Sequence, residues 1–223
     1  MYQNSLNRAR RSRRERIIGA MLAKIMSLFL LGLIRTLTGA QARWLGCPPK
    51  AEQRIYFANH QSHADLVLMW AALPEELRSI TRPIAAKDYW TKTPFKKWIT
   101  TAVFNAIYVD RAKTGDQDPL EPLIEALTNG DSIILFPEGT RGNQEEPQKF
   151  KAGLYNLALK FPHVVLVPAW INNVQRVMPK GEVVPVPILC SVTYGAPISL
   201  APGEDRGEFL ARARQAVIDL RET

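Results

Sequence analysis

An apolar run of eighteen residues, Ile17 to Ile34, carries a single charge, Lys24, and is closed by Arg35. As a helix rising 1.5 Å per residue it would be roughly 27 Å long, just short of a hydrocarbon core of about 30 Å. Such a stretch has to be covered by protein or by lipid, and the rest of the chain must fold around that requirement. Ahead of it the first sixteen residues hold six arginines (Arg8, Arg10, Arg11, Arg13, Arg14 and Arg16) and one glutamate, a local charge of +5. The remaining 207 residues contribute only +3 of the total +8, so the basic balance belongs to an arm rather than to the whole protein. Arms of this kind meet anionic lipid or nucleic acid.

A secretory signal shares this layout, but the expectation is a segment that is kept. The positive-inside tendency holds the arm in the cytoplasm, and one full span would then carry everything after Arg35 to the far side. A helix in the interface, or a re-entrant one, keeps both ends on one face and lets Lys24 snorkel. A buried core helix is the remaining alternative. The chain therefore divides into residues 1–45, basic arm and membrane-associated helix, and residues 46–223, a catalytic-size domain.

That domain is folded by composition: 46% of the 223 residues are hydrophobic and 22% charged. Its two cysteines, Cys47 and Cys190, form no CxxC or Cys/His cluster, which argues against a disulfide scaffold or a zinc finger and fits a reducing compartment. From about Gly46 short β-like runs alternate with helical stretches. The strand candidates are Arg54–Ala58, Ile84–Ala86, Ala106–Val109, Ser132–Phe136, Val164–Pro168 and Ile188–Tyr194. Helices are expected over Asp65–Leu73, Pro94–Val103, Leu120–Thr128, Ala152–Lys160 and Arg206–Leu220. The alternation predicts an α/β fold around a mixed, largely parallel sheet flanked by helices. Val183 to Pro187, with two prolines in five residues, is expected at an edge or in a loop.

Two strand-to-turn junctions carry the chemistry. In the first, Arg54-Ile-Tyr-Phe-Ala-Asn-His-Gln-Ser-His-Ala-Asp65, polar residues sit where the strand ends and a helix begins, the place where open sheets expose reactive groups on a rigid scaffold. Ser62 and Asp65 have capping-box spacing, which alone would explain the aspartate. Yet His60, five residues earlier, lies across the turn where the carboxylate can reach one imidazole nitrogen and leave the other facing outward. An imidazole so held can take a proton from an alcohol near neutral pH. A core histidine with satisfied hydrogen bonds, or a metal site of His60, His63 and Asp65, would use the same residues; the chain has one further histidine, His163, and no HExxH helix.

The second junction is Ser132-Ile-Ile-Leu-Phe-Pro-Glu-Gly-Thr-Arg141. Pro137 and Gly139 suit a type I turn and nothing more. However, Gly139 lets backbone amides converge, Thr140 adds a hydroxyl and Arg141 a guanidinium fork matched to phosphate oxygens, with Lys149 and Lys151 close behind. The result is a candidate anion pocket beside a carboxylate, Glu138.

Asn59-His-Gln-Ser-His-Ala-Asp65 resembles the H-x4-D motif of the glycerolipid acyltransferases, and Phe136-Pro-Glu-Gly-Thr-Arg141 resembles their F-P-E-G-T-R-S motif, with Gly142 where serine is usual. Phe150-Lys-Ala-Gly153 is similar to the F-K-x-G that follows it. Ile107-Tyr-Val-Asp-Arg111 is similar to the strand motif whose arginine binds substrate phosphate, although Asn105 stands in place of a glycine, and Val167-Pro168-Ala169 weakly matches a further block. The blocks run in order from Asn59 to Ala169, about half the chain. The resemblance implies a glycerol-3-phosphate acyltransferase-like fold and acyl transfer from a thioester, acyl-CoA or acyl-carrier protein, to the free hydroxyl of 1-acyl-glycerol-3-phosphate, forming phosphatidic acid. It implies His60 as general base oriented by Asp65, with no acyl-enzyme. Arg111, Arg141 and Lys151 would hold phosphate, Gly139 and Thr140 complete that pocket, and Glu138 would bind glycerol oxygens or fix Arg141. It implies no metal and no cofactor.

Both substrates carry long chains, so the site is expected at a membrane surface, the cytoplasmic face of the inner membrane where thioesters are found. Lys87 to Ile99, with four lysines among aromatic and apolar residues, has the composition of an interfacial segment or of a solvated basic face. The competing functions are acyl transfer or transacylation on another lysophospholipid, and a catalytically silent membrane-binding or nucleic-acid-binding module. Against nucleic acid, the arm runs straight into an apolar helix and carries no base-reading motif.

Overall fold

The computed structural model describes residues 2–39, 41–62, 64–110, 118–142, 146–172 and 189–221, with side chains from residue 14 onward. The chain opens with α1 (Tyr2–Thr38), which runs through both the arginine arm and the apolar stretch. Strand β1 (Gln41–Trp44) follows, then β2 (Arg54–Ala58), α2 (Asp65–Ala72), α3 (Glu75–Ser79) and β3 (Thr81–Ala86). Next come α4 (Lys87–Trp90), α5 (Pro94–Trp98) continued by a π-helical turn (Ile99–Val103), β4 (Ile107–Val109), α6 (Glu121–Thr128), β5 (Ser132–Leu135), α7 (Gly153–Lys160), β6 (Val165–Asn172), β7 (Ser191–Tyr194) and α8 (Arg206–Ile218).

Among the described residues the seven strands form one sheet in the order β1-β7-β6-β2-β5-β3-β4. Every neighbouring pair is parallel except β6 with β7, so the expected mixed, largely parallel sheet is what the chain forms. Strand β2 lies between β5 and β6 and is buried along its whole length, as a central parallel strand with helices over both faces must be. Its period-2 alternation sends Tyr56 and Ala58 into one core, and Ile55 and Phe57 into the other. Helix α2 and the end of α1 cover the first face; α6, α7 and α8 cover the second.

Arg54, at the start of β2, is buried without being stranded. Its guanidinium donates to Glu52 Oε1 at 2.6 Å and to the Pro48 carbonyl at 2.9 Å, and contacts Cys47 Sγ at 3.4 Å. Cys47 and Cys190 are both buried free thiols.

Two differences from the sequence expectations have physical reasons. The sheet starts upstream of Gly46, because Gln41–Trp44 pairs in parallel with β7; this strand is half exposed and carries little apolar signal. The predicted helix over Pro94–Val103 changes pitch at Ile99, where Tyr108 of β4 hydrogen-bonds the Thr100 and Thr101 hydroxyls and pins the wider turn. Asn105, which takes a glycine's place, sits at φ 49°, in the left-handed region that asparagine tolerates better than most residues. The proline-containing stretch Val183 to Pro187 lies outside the described residues.

From Ala23 onward α1 lies along the domain. Leu31 is part of the core, Leu30 and Ile34 pack on it, and the Thr38 carbonyl accepts the Cys190 amide at 2.7 Å. The opposite stripe, Ile18, Met21, Leu22, Ile25, Phe29 and Leu33, is apolar and exposed. Residues 14–38 form a helix long and apolar enough to cross a bilayer, with a mean hydropathy of 2.3 over its most apolar eighteen residues.

Candidate active site

The C-terminal ends of β2, β5, β3 and β4 lie side by side, and the chain turns away from each, opening a cleft over the sheet as parallel topology allows. The cleft has a volume of about 230 Å³. Its walls are mainly apolar, including Ile84, Val109, Leu123, Leu135 and Leu154, and its polar groups are few: His60, Gly139 and Lys151 reach it.

His60 and Asp65 come together as expected. His60 Nδ1 lies 2.8 Å from Asp65 Oδ2, and that oxygen also accepts the backbone amides of Gln61 at 2.6 Å and Ser62 at 2.8 Å. A backbone N–H can only donate, so Oδ2 is an acceptor for all three and Nδ1–H is the donor to it, which leaves Nε2 as the ring nitrogen not used by Asp65. Asp65 is 1% exposed and the His60 side chain 18%, which suits a buried orienter and a reachable base. The Phe136 ring stacks on the imidazole, with centroids 4.4 Å apart and planes 17° from parallel.

The capping box forms only by half. Asp65 reaches back to the Ser62 amide as the box requires, but the Ser62 hydroxyl accepts the Ala64 amide at 3.2 Å instead of capping α2. Asp65 is therefore turned towards His60 by the same loop amides that the local capping reading invoked. Ser62 is buried and is not among the residues that line the cleft.

The second motif contributes unevenly. Gly139 has φ 70°, and a Cβ there would stand 2.7 Å from Lys151 Nζ, so the lysine folds across a position that only glycine leaves open. Thr140 and Arg141 are exposed on the rim of the same turn, and Arg141 has no ion pair among the described residues. Glu138 is set back from the cleft and is 1% exposed. Its Oε1 accepts the His60 amide and its Oε2 the Gln148 amide, each at 2.7 Å. Burial pushes the Glu138 carboxyl above its ordinary range, and the two amide bonds work against that rise. Arg111 lies outside the described residues, which reach Asp110 just beyond β4. His63 also lies outside them. Among the described residues no cluster of three metal-ligating side chains forms.

Sequence reasoning missed Phe136 as a partner of the imidazole and Asn59 as its anchor. The Asn59 side chain both donates to and accepts from the Ile171 backbone, at 3.1 and 2.8 Å, and extends the β2–β6 pairing by one step. An asparagine directly after a buried strand was the available signal for the second; the first needs the tertiary approach of two strand ends.

Residues 47–172 match the family described as Acyltransferase. The human 1-acyl-sn-glycerol-3-phosphate acyltransferase alpha is 31% identical over 165 residues, covering 71% of this chain and 55% of that protein. The 1-acyl-sn-glycerol-3-phosphate acyltransferase of Limnanthes alba is 30% identical over 173 residues, 75% of this chain and 58% of that one. The chain thus spans about half the length of the curated relatives it matches. Among solved structures, the 1-acyl-sn-glycerophosphate (LPA) acyltransferase of Thermotoga maritima shares the fold, with a TM-score of 0.68 at 23% identity over 90% of this chain and 78% of that one.

Proposed function

The chain belongs to the acyltransferase family, and from that premise we propose that it transfers a fatty acyl group from a thioester to the free hydroxyl of 1-acyl-glycerol-3-phosphate, forming phosphatidic acid. The observation that carries this reading is the His60–Asp65 dyad at the mouth of an apolar cleft, with Arg141 on the turn after β5 and Lys151 folded over that turn from just before α7. The names of the relatives point to the same acceptor.

His60 Nε2 takes the proton of the acceptor hydroxyl while Nδ1–H stays bonded to Asp65, whose charge stabilises the imidazolium that forms. The hydroxyl oxygen attacks the thioester carbonyl and a C–O bond forms. The C–S bond then breaks, and the departing thiolate receives the proton from His60. No residue becomes acylated, in keeping with the burial of Ser62. Arg141, with Arg111, two residues after β4 in the sequence, holds the phosphate; the Gly139–Thr140 turn and Lys151 complete the anion pocket. The walls of the cleft take part of an acyl chain. No metal or cofactor enters this scheme, and the donor is either acyl-CoA or acyl-carrier protein.

The site works at a membrane surface, on the cytoplasmic side of the inner membrane. Support comes from the exposed apolar stripe of α1, from the packing of its other face on the domain, and from Phe95, which is 61% exposed among the lysines of α5. A helix that rests on its own domain only through its C-terminal part and leaves the rest of its apolar surface exposed suits a position in the interface, with the arginine arm among anionic headgroups. The deciding experiment incubates the full-length protein in mixed micelles with a panel of lysolipids and either acyl-CoA or acyl-carrier protein, with products read by mass spectrometry. Phosphatidic acid from lysophosphatidate is the expected product. Transfer only to another lysophospholipid would move the acceptor assignment, and no transfer from either donor would remove the enzyme reading in favour of a membrane-binding module.

A further inference from the structure

In the turn after β5 two side chains point opposite ways. Phe136 lies on the His60 ring at the cleft, whereas Glu138 is directed into the protein. Among the described residues the carboxylate forms no ion pair with a side chain; its two oxygens accept two main-chain amides, one of which belongs to His60. The other half of the His60 main chain is held by the same turn, since the Gly142 amide donates to the His60 carbonyl at 2.8 Å. Gly142 also leaves room for the carboxylate, because a Cβ there would come within 3.2 Å of Oε2. Just before His60, the Asn59 side chain fastens the end of β2 to Ile171 of β6.

We propose that Glu138 is a positioning residue for the base: it holds the main chain of His60 at the end of β2, and so sets where Nε2 stands over the cleft, without touching the acceptor. This deepens the acyltransferase reading and rests on it. A group that bound glycerol oxygens would need a path to the cleft, and a side chain that is 1% exposed has none. Two N–H donors converge on the two oxygens, so only a carboxylate of this length satisfies both. In glutamine one oxygen becomes an NH₂ that faces another N–H, and aspartate is one methylene short. Either change lets the His60 backbone shift, and displacements on the order of 1 Å at a reacting group cost up to about 10²-fold in rate.

The test uses full-length protein in mixed micelles, comparing wild type with Glu138→Gln and Glu138→Asp. Lysophosphatidate is varied at saturating acyl thioester, and the imidazole N–H protons are followed by NMR. The downfield Nδ1–H signal is assigned to His60 by its loss in His60→Ala. Expected are a fall in kcat of about 10- to 10²-fold in both variants, acceptor KM within about twofold of wild type, and a shifted or broadened His60 Nδ1–H signal. A raised acceptor KM with kcat recovered at saturation would make Glu138 a substrate ligand and overturn the proposal. An unmoved imidazole signal would overturn it as well, and so would loss of the circular dichroism spectrum in both variants, which would make Glu138 part of the scaffold only. Should wild type itself fail to acylate lysophosphatidate, the function assignment fails, while the imidazole signal still decides whether Glu138 positions His60.

Discussion

His60 is held from several directions, and removing its ring leaves most of that framework standing. Asp65 keeps the Gln61 and Ser62 amides, and the His60 backbone keeps Glu138 and Gly142. His60→Ala should therefore lower acyl transfer by about 10²- to 10⁴-fold, the usual worth of a positioned base, with a melting temperature close to wild type. Parallel assays of turnover and thermal unfolding check both halves; an active His60→Ala would end the dyad assignment. Arg141 stands on the rim, exposed and without an ion pair among the described residues, so its guanidinium is available to a ligand. Arg141→Ala should weaken a phosphate-bearing acceptor by about 1.5 to 3 kcal/mol, roughly 10- to 10²-fold in KM, and leave a neutral monoacylglycerol and the thioester donor nearly unchanged. Equal losses for charged and neutral acceptors would show that Arg141 does not read phosphate.

Among the elements, α1 is the one that belongs to two environments. From Arg14 to Leu22 it has no shielded face, and from Ala23 it is seated on the first core through Leu30, Leu31 and Ile34, with Thr38 bonded to Cys190. Two truncations should therefore behave differently. Removing residues 1–22 takes away the arm and one turn and a half of exposed apolar helix, and should leave the unfolding midpoint near wild type. Removing residues 1–35 also strips Leu31 from the core, together with Leu30 and Ile34 that pack on it, and should cost roughly 3 kcal/mol, as burial of one or two large aliphatic groups would predict. Urea unfolding of the two proteins in the same detergent makes the comparison. Equal midpoints would mean that α1 is only an anchor.

For the whole molecule the relevant quantity is how charge and apolar surface are divided. The arm holds +5 and the other 207 residues +3, while the exposed stripe of α1 and Phe95 supply the apolar contact. Each arginine near an anionic surface contributes about 1 kcal/mol, and that part is screened by salt, whereas burial of apolar side chains is not. Full-length protein should thus float with vesicles containing anionic lipid, and raising salt from about 0.1 M to 1 M, where the Debye length falls from about 10 Å to 3 Å, should release only a fraction of it. An impermeant label added outside right-side-out inner-membrane vesicles should reach neither Arg16 nor Lys50. Labelling of Lys50 alone would mark a true span and put His60 on the side away from cytoplasmic thioesters.

Much of this was legible in the chain itself. The strand Arg54–Ala58 is legible to the residue, because Ile55–Ala58, buried on both faces, form a continuous apolar run that ends at Asn59. His60 and Asp65 were legible from their place across a strand-to-helix turn, where five residues are enough to bring an imidazole and a carboxylate together. Gly139 carried its own signal, since a tight turn under a lysine needs a residue without a Cβ. Other features were decided only when distant segments met. Strand β1 became a strand because β7 offered it an edge, not because of its own pattern. Which face of α1 is dry depends on the position of α2 and the π-helical turn. Glu138 and Gly139 are adjacent in one motif, yet one faces the protein and the other the cleft. A side chain's direction is set by the partners that satisfy it, and the amide that takes the Glu138 carboxylate lies 78 residues away. Local periodicity and turn chemistry are written in neighbouring residues, whereas the pairing of buried polar groups is settled only by the packed fold.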